Sequence, residues 1–108
     1  MGMYKFEWDE EKNRINQQKH DVSFDEATGV FEDTKAITIY DEEHSENEER
    51  FLIIGFDVKA RQLTVCHCYR NGEEIIRIIS ARKAAKKEIE LYKEENNIIW
   101  KLSIQKKI

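Results

Sequence analysis

No proline occurs anywhere in this chain, and only four glycines and two cysteines do. The missing proline excludes proline-rich linkers, and the few glycines exclude glycine-rich low-complexity tracts. The two cysteines, Cys66 and Cys68, are two apart on a predicted strand, where a mutual disulfide would be strained, so the pair is read as reduced thiols. No apolar run approaches the roughly 20 residues of a membrane span, and the first residues, MGMYKFEWDEEK, lack the apolar centre of a signal peptide. A cytoplasmic protein is expected.

What is present is charge. Of the 108 residues, 37% are charged and 40% hydrophobic, a composition suited to one compact domain with a highly charged surface. The net charge of −4 hides an asymmetry. Residues 1 to 57 carry six Lys or Arg against sixteen Asp or Glu, whereas residues 58 to 87 carry eight against two. Local potential therefore matters more than the sum, and the second segment predicts a basic face.

The pattern alternates short elements without repeats. Tyr4 to Trp8 reads as a strand, and Asp9 caps a polar helix through about Lys19 whose strong apolar residue is Ile15. That helix is expected on the surface, held by Trp8 and Ile15. Ser23-Phe24-Asp25-Glu26 is a capping box, with Val22 stapled onto Ala27, and opens a second helix to about Phe31. Strands follow at 36 to 40, 50 to 56, 63 to 70 and 73 to 80, rich in Ile, Val, Thr, Tyr and Phe.

Asn71-Gly72 predicts a two-residue hairpin turn pairing Arg70 with Glu73, Cys68 with Ile75 and Cys66 with Arg77. That register puts Leu63, Val65, His67, Tyr69, Ile76 and Ile78 on the apolar face, and Arg70 and Arg77 together on the polar one. Ser80 is the expected cap of a last helix to about Tyr92, which places Arg82, Lys83, Lys86 and Lys87 in its opening turns. Cations there oppose the helix dipole, so a docked anion, phosphate above all, is expected. A domain over residues 1 to 95 results, with a tail from 96 to 108 as an extra edge strand or a flap.

The chain also resembles a known family, the BrnT toxins of bacterial type II toxin–antitoxin modules, a branch of the RelE-like ribonuclease toxins. The matching residues are FEWDEEK at 6 to 12, Asn16, Lys19-His20 leading to VSFDEA, Val30 to Asp33, His44-Ser45, Glu49 to Phe51, and Ile54-Gly55. VCHCYRNGEEIIRIISARKA with Glu88 and Tyr92 is the most specific block. Coverage is about residues 3 to 95. Asp21 stands where the family usually has Gly, and Cys66 and Cys68 stand where Val and Thr are common. The resemblance implies an α+β, RelE-like domain: two N-terminal helices packed on a four-stranded antiparallel sheet, followed by a C-terminal helix. It further implies a growth inhibitor that cuts RNA, neutralised by a cognate, DNA-binding antitoxin.

Metal-independent RNA cleavage by 2′-hydroxyl attack needs a base, an acid and cations around the phosphorane. Arg77 and Arg82 suit the cationic task, because arginine's fork matches phosphate oxygens, with Arg70, Lys83, Lys86 and Lys87 as further RNA contacts. Ser80 is read as a cap. His67 and Glu88 are the acid–base candidates, although His67 falls on the apolar face, where a core histidine is the commoner outcome. His44 is read as a residue of the acidic loop. Trp8 or Tyr92 offers a ring for base stacking, against a default of core packing. A metal site on Cys66-His67-Cys68 is disfavoured because strand alternation turns His67 away from both thiols, so no cofactor is expected. The competing reading is a non-enzymatic module whose basic face grips RNA or an acidic protein.

Overall fold

Five strands form one mixed sheet in the order β1-β5-β4-β3-β2, with helices against both of its faces. The computed structural model describes the backbone of residues 4–107 and the side chains of residues 4–97. The strands are β1 (Lys5–Glu7), β2 (Ile37–Tyr40), β3 (Phe51–Phe56), β4 (Gln62–Arg70) and β5 (Ile75–Lys83). The helices are α1 (Glu10–His20), α2 (Phe24–Ala27, continued by a 3-10 turn over Thr28–Glu32) and α3 (Lys86–Lys107). The architecture is α+β as expected, but the sheet is not four-stranded and antiparallel. β1 joins it parallel to β5, with Lys5 beside Ile75 and Glu7 beside Arg77. Composition shows that residues 5 to 7 are a strand, and says nothing about a partner 70 positions away.

Capping follows the sequence closely. Asp9 Oδ1 accepts from the Glu11 and Lys12 amides at 2.9 and 3.1 Å. Asp21 ends α1 in the left-handed region at φ 58°, a conformation that Asp tolerates. At α2 the capping box is complete: Glu26 N–H donates to Ser23 Oγ, and Ser23 N–H to Glu26 Oε1, both at 3.0 Å. The core lies between this helix and the sheet, with Val22, Phe24, Ala27 and Val30 packed on Ile53, Leu63, Val65, Ile78 and Ala81.

α1 is not held by Ile15, which is 46% exposed. Its neighbour Asn16 is the buried residue. The Asn16 amide donates to the Val22 and Ala81 carbonyls, both at 2.8 Å, and accepts from the Ala81 N–H at 3.1 Å. β1 stops opposite Arg77, so further along β5 the outer edge has no strand partner. Asn16 supplies the missing donor and acceptor there, and fixes α1 against the strand that carries the basic residues.

The β4–β5 connection departs from the expected two-residue turn. Arg70 pairs with Ile75 across a four-residue link in which Asn71, Gly72 and Glu73 have φ of 51°, 70° and 104°. Three successive positive φ values require a longer loop than a type I′ turn provides. Cys68 consequently pairs with Arg77, not Ile75, a shift of two that leaves every side chain on its expected face. A bulge then intervenes, since Cys66 pairs with Ser80 while His67 pairs with Ile78. Cys66 is therefore not opposite Arg77.

β5 also runs three residues beyond the predicted cap. Thr64 pairs with Arg82 and Leu63 with Lys83, so Arg82 and Lys83 are strand residues and the helix begins only at Lys86. Ladder bonding to β4 outweighs the capping tendency of Ser80. Residues 96–107 continue α3, so the backbone there forms neither a strand nor a flap. The apolar side chains of that tail, from Ile98 onward, lie outside the described residues. α3 meets the face that carries Thr64 and Phe56, and Asn96 adds a hydrogen bond to the Lys35 carbonyl at 3.2 Å. No helix among the described residues is long and apolar enough to cross a membrane.

Candidate active site

The bulge in β5 determines which cations meet. Arg77 and Arg82 are five positions apart, an odd spacing that would set them on opposite faces of a regular strand. The extra residue at Ile79–Ser80 restores them to one face, together with Thr64, Cys66 and Cys68 of β4. Arg70, at the end of β4, lies on the same side. The polar face thus carries three arginines in a line, Arg82, Arg77 and Arg70.

Each of them is held by a carboxylate. Arg82 Nη1 and Nη2 donate to Glu88 Oε1 and Oε2 at 2.8 and 2.9 Å. Arg77 Nη1 donates to Glu7 at 2.8 Å, and Arg70 Nη1 to Glu48 at 2.8 Å. Glu88 also accepts from Thr64 Oγ1 at 2.8 Å and from the Ala85 N–H at 2.7 Å. Ala85 precedes α3 and has no side chain able to cap it, so Glu88 reaches back from the first turn to do so. The anion expected at this helix start is therefore the protein's own. Burial by itself would raise the Glu88 carboxyl, but the bonds from Arg82, Ala85 and Thr64 outweigh it and lower its pKa to about 2. A carboxylate so stabilised is a poor proton acceptor, and its evident work is to orient Arg82.

Beside Arg82 opens a cleft of about 160 Å³ lined by Asp41, His44, Arg50, Cys66, Ser80 and Arg82, among others. Its far wall is the acidic loop. Ser45 shapes that loop, donating to the Asp41 carbonyl at 2.6 Å and accepting from the Arg50 N–H at 3.0 Å. The Asp41 carboxylate lies 2.9 Å from His44 Nδ1, and the imidazole remains 59% exposed at its side chain. That geometry fixes the tautomer and leaves Nε2 for a substrate. Arg50 Nε is buried without a hydrogen-bond partner. His44 and Arg50 were not among the sequence's site residues. Only the fold brings this loop to β5, because β3 and β4 separate them in the chain.

Cys66 faces the cleft as a thiol. Burial first, and then the Asp41 charge, push it up to about 11. Both cysteines are free.

Other sequence candidates are elsewhere. His67 is fully buried on the opposite face, edge-on to Phe31 at 4.9 Å, with Nδ1 donating to the Val65 carbonyl at 3.2 Å. Burial lowers its pKa, and its Nε2 has no partner. Trp8 packs edge-on to Phe24 at 6.1 Å and donates its indole N–H to Glu10. Tyr92 packs on Phe56 and donates to Asp33, and burial with the Asp33 charge raises its hydroxyl to about 12. Lys83, Lys86 and Lys87 are exposed near the start of α3. Strand alternation puts His67 on the opposite face of β4 from Cys66 and Cys68. Among the described residues, Asp41, Glu43 and His44 place their ligand atoms within 4.8 Å of one another. Arg50 and Arg82 share their cleft, and their charge opposes a bound cation.

This arrangement can bind a phosphate diester between guanidinium groups beside an oriented imidazole. A comparison with solved structures gives a match to the Brucella abortus ribonuclease toxin BrnT, with a TM-score of 0.59 and 24% identity over 77% of this chain and 99% of that one. Among curated proteins no sequence matches. The family model described as "Ribonuclease toxin, BrnT, of type II toxin-antitoxin system" matches residues 8–88, a span from Trp8 through the Arg82–Glu88 pair, and the chain belongs to that family.

Proposed function

We propose that this chain is the toxin of a type II toxin–antitoxin module, an endoribonuclease that stops growth in the cytoplasm by cutting RNA without a metal. A cognate antitoxin is its protein partner. The observation that carries the reading is the cleft in which Arg82, Arg50 and Ser80 face the Asp41–His44 pair. A scissile phosphate between Arg82 and Arg50 has its developing charge met by two guanidinium groups that stay charged throughout. His44, oriented by Asp41, takes the 2′-hydroxyl proton as oxygen attacks phosphorus. A 2′,3′-cyclic phosphate forms, the bond from phosphorus to the 5′-oxygen breaks, and that oxygen takes up a proton from solvent. Arg77 and Arg70 continue the cationic line and hold flanking phosphates.

Expression of the chain alone in bacteria, followed by incubation of the purified protein with RNA in EDTA, tests this. Growth arrest and EDTA-resistant cleavage are expected, and both are to weaken in folded Arg82→Ala. Soluble, folded protein that binds RNA with a steep salt dependence and never cuts it would leave the binding-module reading in its place.

A further inference from the structure

With Arg50, the arginine face carries four guanidinium groups, and four carboxylates match them: Glu48 beside Arg50 and Arg70, Glu7 beside Arg77, and Glu88 and Asp41 beside Arg82. A surface that grips the phosphates of RNA needs cations to spare, so at least one of these carboxylates has to give way when a strand docks.

Three of the four are built in. Glu88 belongs to α3 and accepts from Arg82, Thr64 and the Ala85 N–H. Glu7 is part of β1, paired into the sheet beside Arg77. Asp41 is buried, with its carboxylate 2.9 Å from His44 Nδ1. Glu48 differs in each respect. It lies in the loop between the 3-10 turn Glu42–His44 and β3, outside regular structure, and its side chain is 33% exposed. Among the described residues its carboxylate meets the two arginines alone, with Oε2 2.8 Å from Arg70 Nη1 and Oε1 3.5 Å from Arg50 Nη2.

Both arginines belong to the side on which a strand would dock. Phe51 sits opposite His67, so strand alternation turns the preceding residue, Arg50, to the side of Cys66 and Cys68. Arg70 Nη1 reaches Cys68 Sγ at 3.2 Å on that same side. Arg50 is the least satisfied cation of the four, since its contact with Glu48 is long and its buried Nε has no partner. A carboxylate set between two guanidinium groups makes the contacts that the two unesterified oxygens of a phosphate diester would make there. We infer that Glu48 is an internal stand-in for a substrate phosphate: it occupies the place between Arg70 and Arg50, and RNA binds by displacing it. This inhibitory contact rests on the RNA substrate proposed above. It lowers the affinity of the free protein for RNA and keeps both arginines paired when no strand is bound.

Binding of an uncleavable 2′-O-methyl uridine heptamer to the full chain, read by fluorescence anisotropy at about 150 mM salt, tests this. Glu48→Gln and Glu48→Ala are expected to bind it about three- to fivefold more tightly than wild type, because an exposed ion pair no longer has to be broken. Glu49→Gln makes the same charge change one residue away, at an exposed carboxylate with no ion pair among the described residues, and is expected to leave affinity within about 1.5-fold. A gain in Glu49→Gln equal to that in Glu48→Gln reduces the effect to net charge and overturns the inference. Unchanged or weaker binding by both Glu48 variants, folded by circular dichroism, overturns it too, since Glu48 would then support the arginines for RNA and not compete with it. The heptamer with native 2′-hydroxyls separates this contact from the ribonuclease reading. Tighter binding by Glu48→Gln with no cleavage by any of the proteins keeps the contact and removes the enzyme, whereas cleavage with no gain in affinity keeps the enzyme and removes the contact.

Discussion

Arg82 and Glu88 meet in a two-point ion pair, each guanidinium nitrogen on its own carboxylate oxygen at 2.8 and 2.9 Å. The pair joins the end of β5 to the first turn of α3 and fixes the planar fork at the mouth of the cleft. Lysine cannot reproduce such a contact. Arg82→Lys is expected to cut RNA at least tenfold more slowly, and Arg82→Ala about 100- to 1,000-fold more slowly, the usual cost of losing one group that stabilises developing charge. Single-turnover cleavage of a model RNA, with circular dichroism as the folding control, measures both. Wild-type rates in folded Arg82→Ala would remove this residue from the site.

The depressed Glu88 carboxyl also makes stability depend on pH. With a folded pKa of about 2 against an ordinary 4.5, its contribution is complete above about 4.5 and is lost as pH falls through 2. After discount for solvent screening the contribution is about 1–2 kcal/mol. Urea unfolding of wild type and Glu88→Gln at pH 6 and pH 3 is expected to show a gap that narrows in acid. A gap independent of pH contradicts this assignment.

His44 carries proton transfer in the proposed mechanism, and Asp41 orients it. His44→Ala is expected to lower the rate by about 100- to 10,000-fold with little change in unfolding midpoint, since its side chain is exposed. Asp41→Asn retains the imidazole and loses its orienting charge, so an intermediate rate is expected. RNA cleavage assays on the purified variants decide, and an undiminished His44→Ala would return the proton donor and acceptor to the list of unknowns.

His67, by contrast, is expected to be dispensable for chemistry. Burial lowers its pKa, so the unfolded chain binds a proton more readily than the native one, and stability falls as pH drops through the unfolded value of 6.5. His67→Phe keeps the ring packing against Phe31 and removes that acid sensitivity. Cleavage should persist at near wild-type rate, and the unfolding midpoint should vary less between pH 7 and pH 5. A large loss of rate in folded His67→Phe would reinstate this residue in catalysis.

Asn16→Ala removes three hydrogen bonds, two to Ala81 of β5 and one to the Val22 carbonyl, and leaves the Ala81 amide and carbonyl without those partners at a buried edge. A loss of about 2–4 kcal/mol is expected in denaturant titration, large for a single polar residue. Asn16→Asp retains the acceptor but loses both donated bonds, and should be similarly destabilised.

Local chemistry was legible in the sequence, and long-range chemistry was not. The Asp9 cap, the Ser23–Glu26 box and the buried stripe of Phe24, Ala27 and Val30 follow from patterns within a few residues, and all occur. The partition of β4 and β5 into an apolar and a basic face also occurs, because a register error of two does not change parity. The bulge at Ile79–Ser80 and the strand course through Arg82 were not legible. Ser80 followed by two alanines and four cations reads as a helix start, and only the ladder with Thr64 and Leu63 overrules that preference. Of the candidate site, Arg82 and Arg77 stood in the basic segment, whereas His44 and Arg50 lay in an acidic loop whose approach depends on tertiary pairing.

The parallel pairing of β1 with β5 has a consequence for the order of assembly. Glu7, which holds Arg77, is 70 residues ahead of it, and Glu88, which holds Arg82, comes six residues after it. The arginine face is therefore assembled from segments 70 residues apart, and cannot form until the chain through Glu88 has left the ribosome. A nascent chain carries the acidic half first and the complete cationic line last.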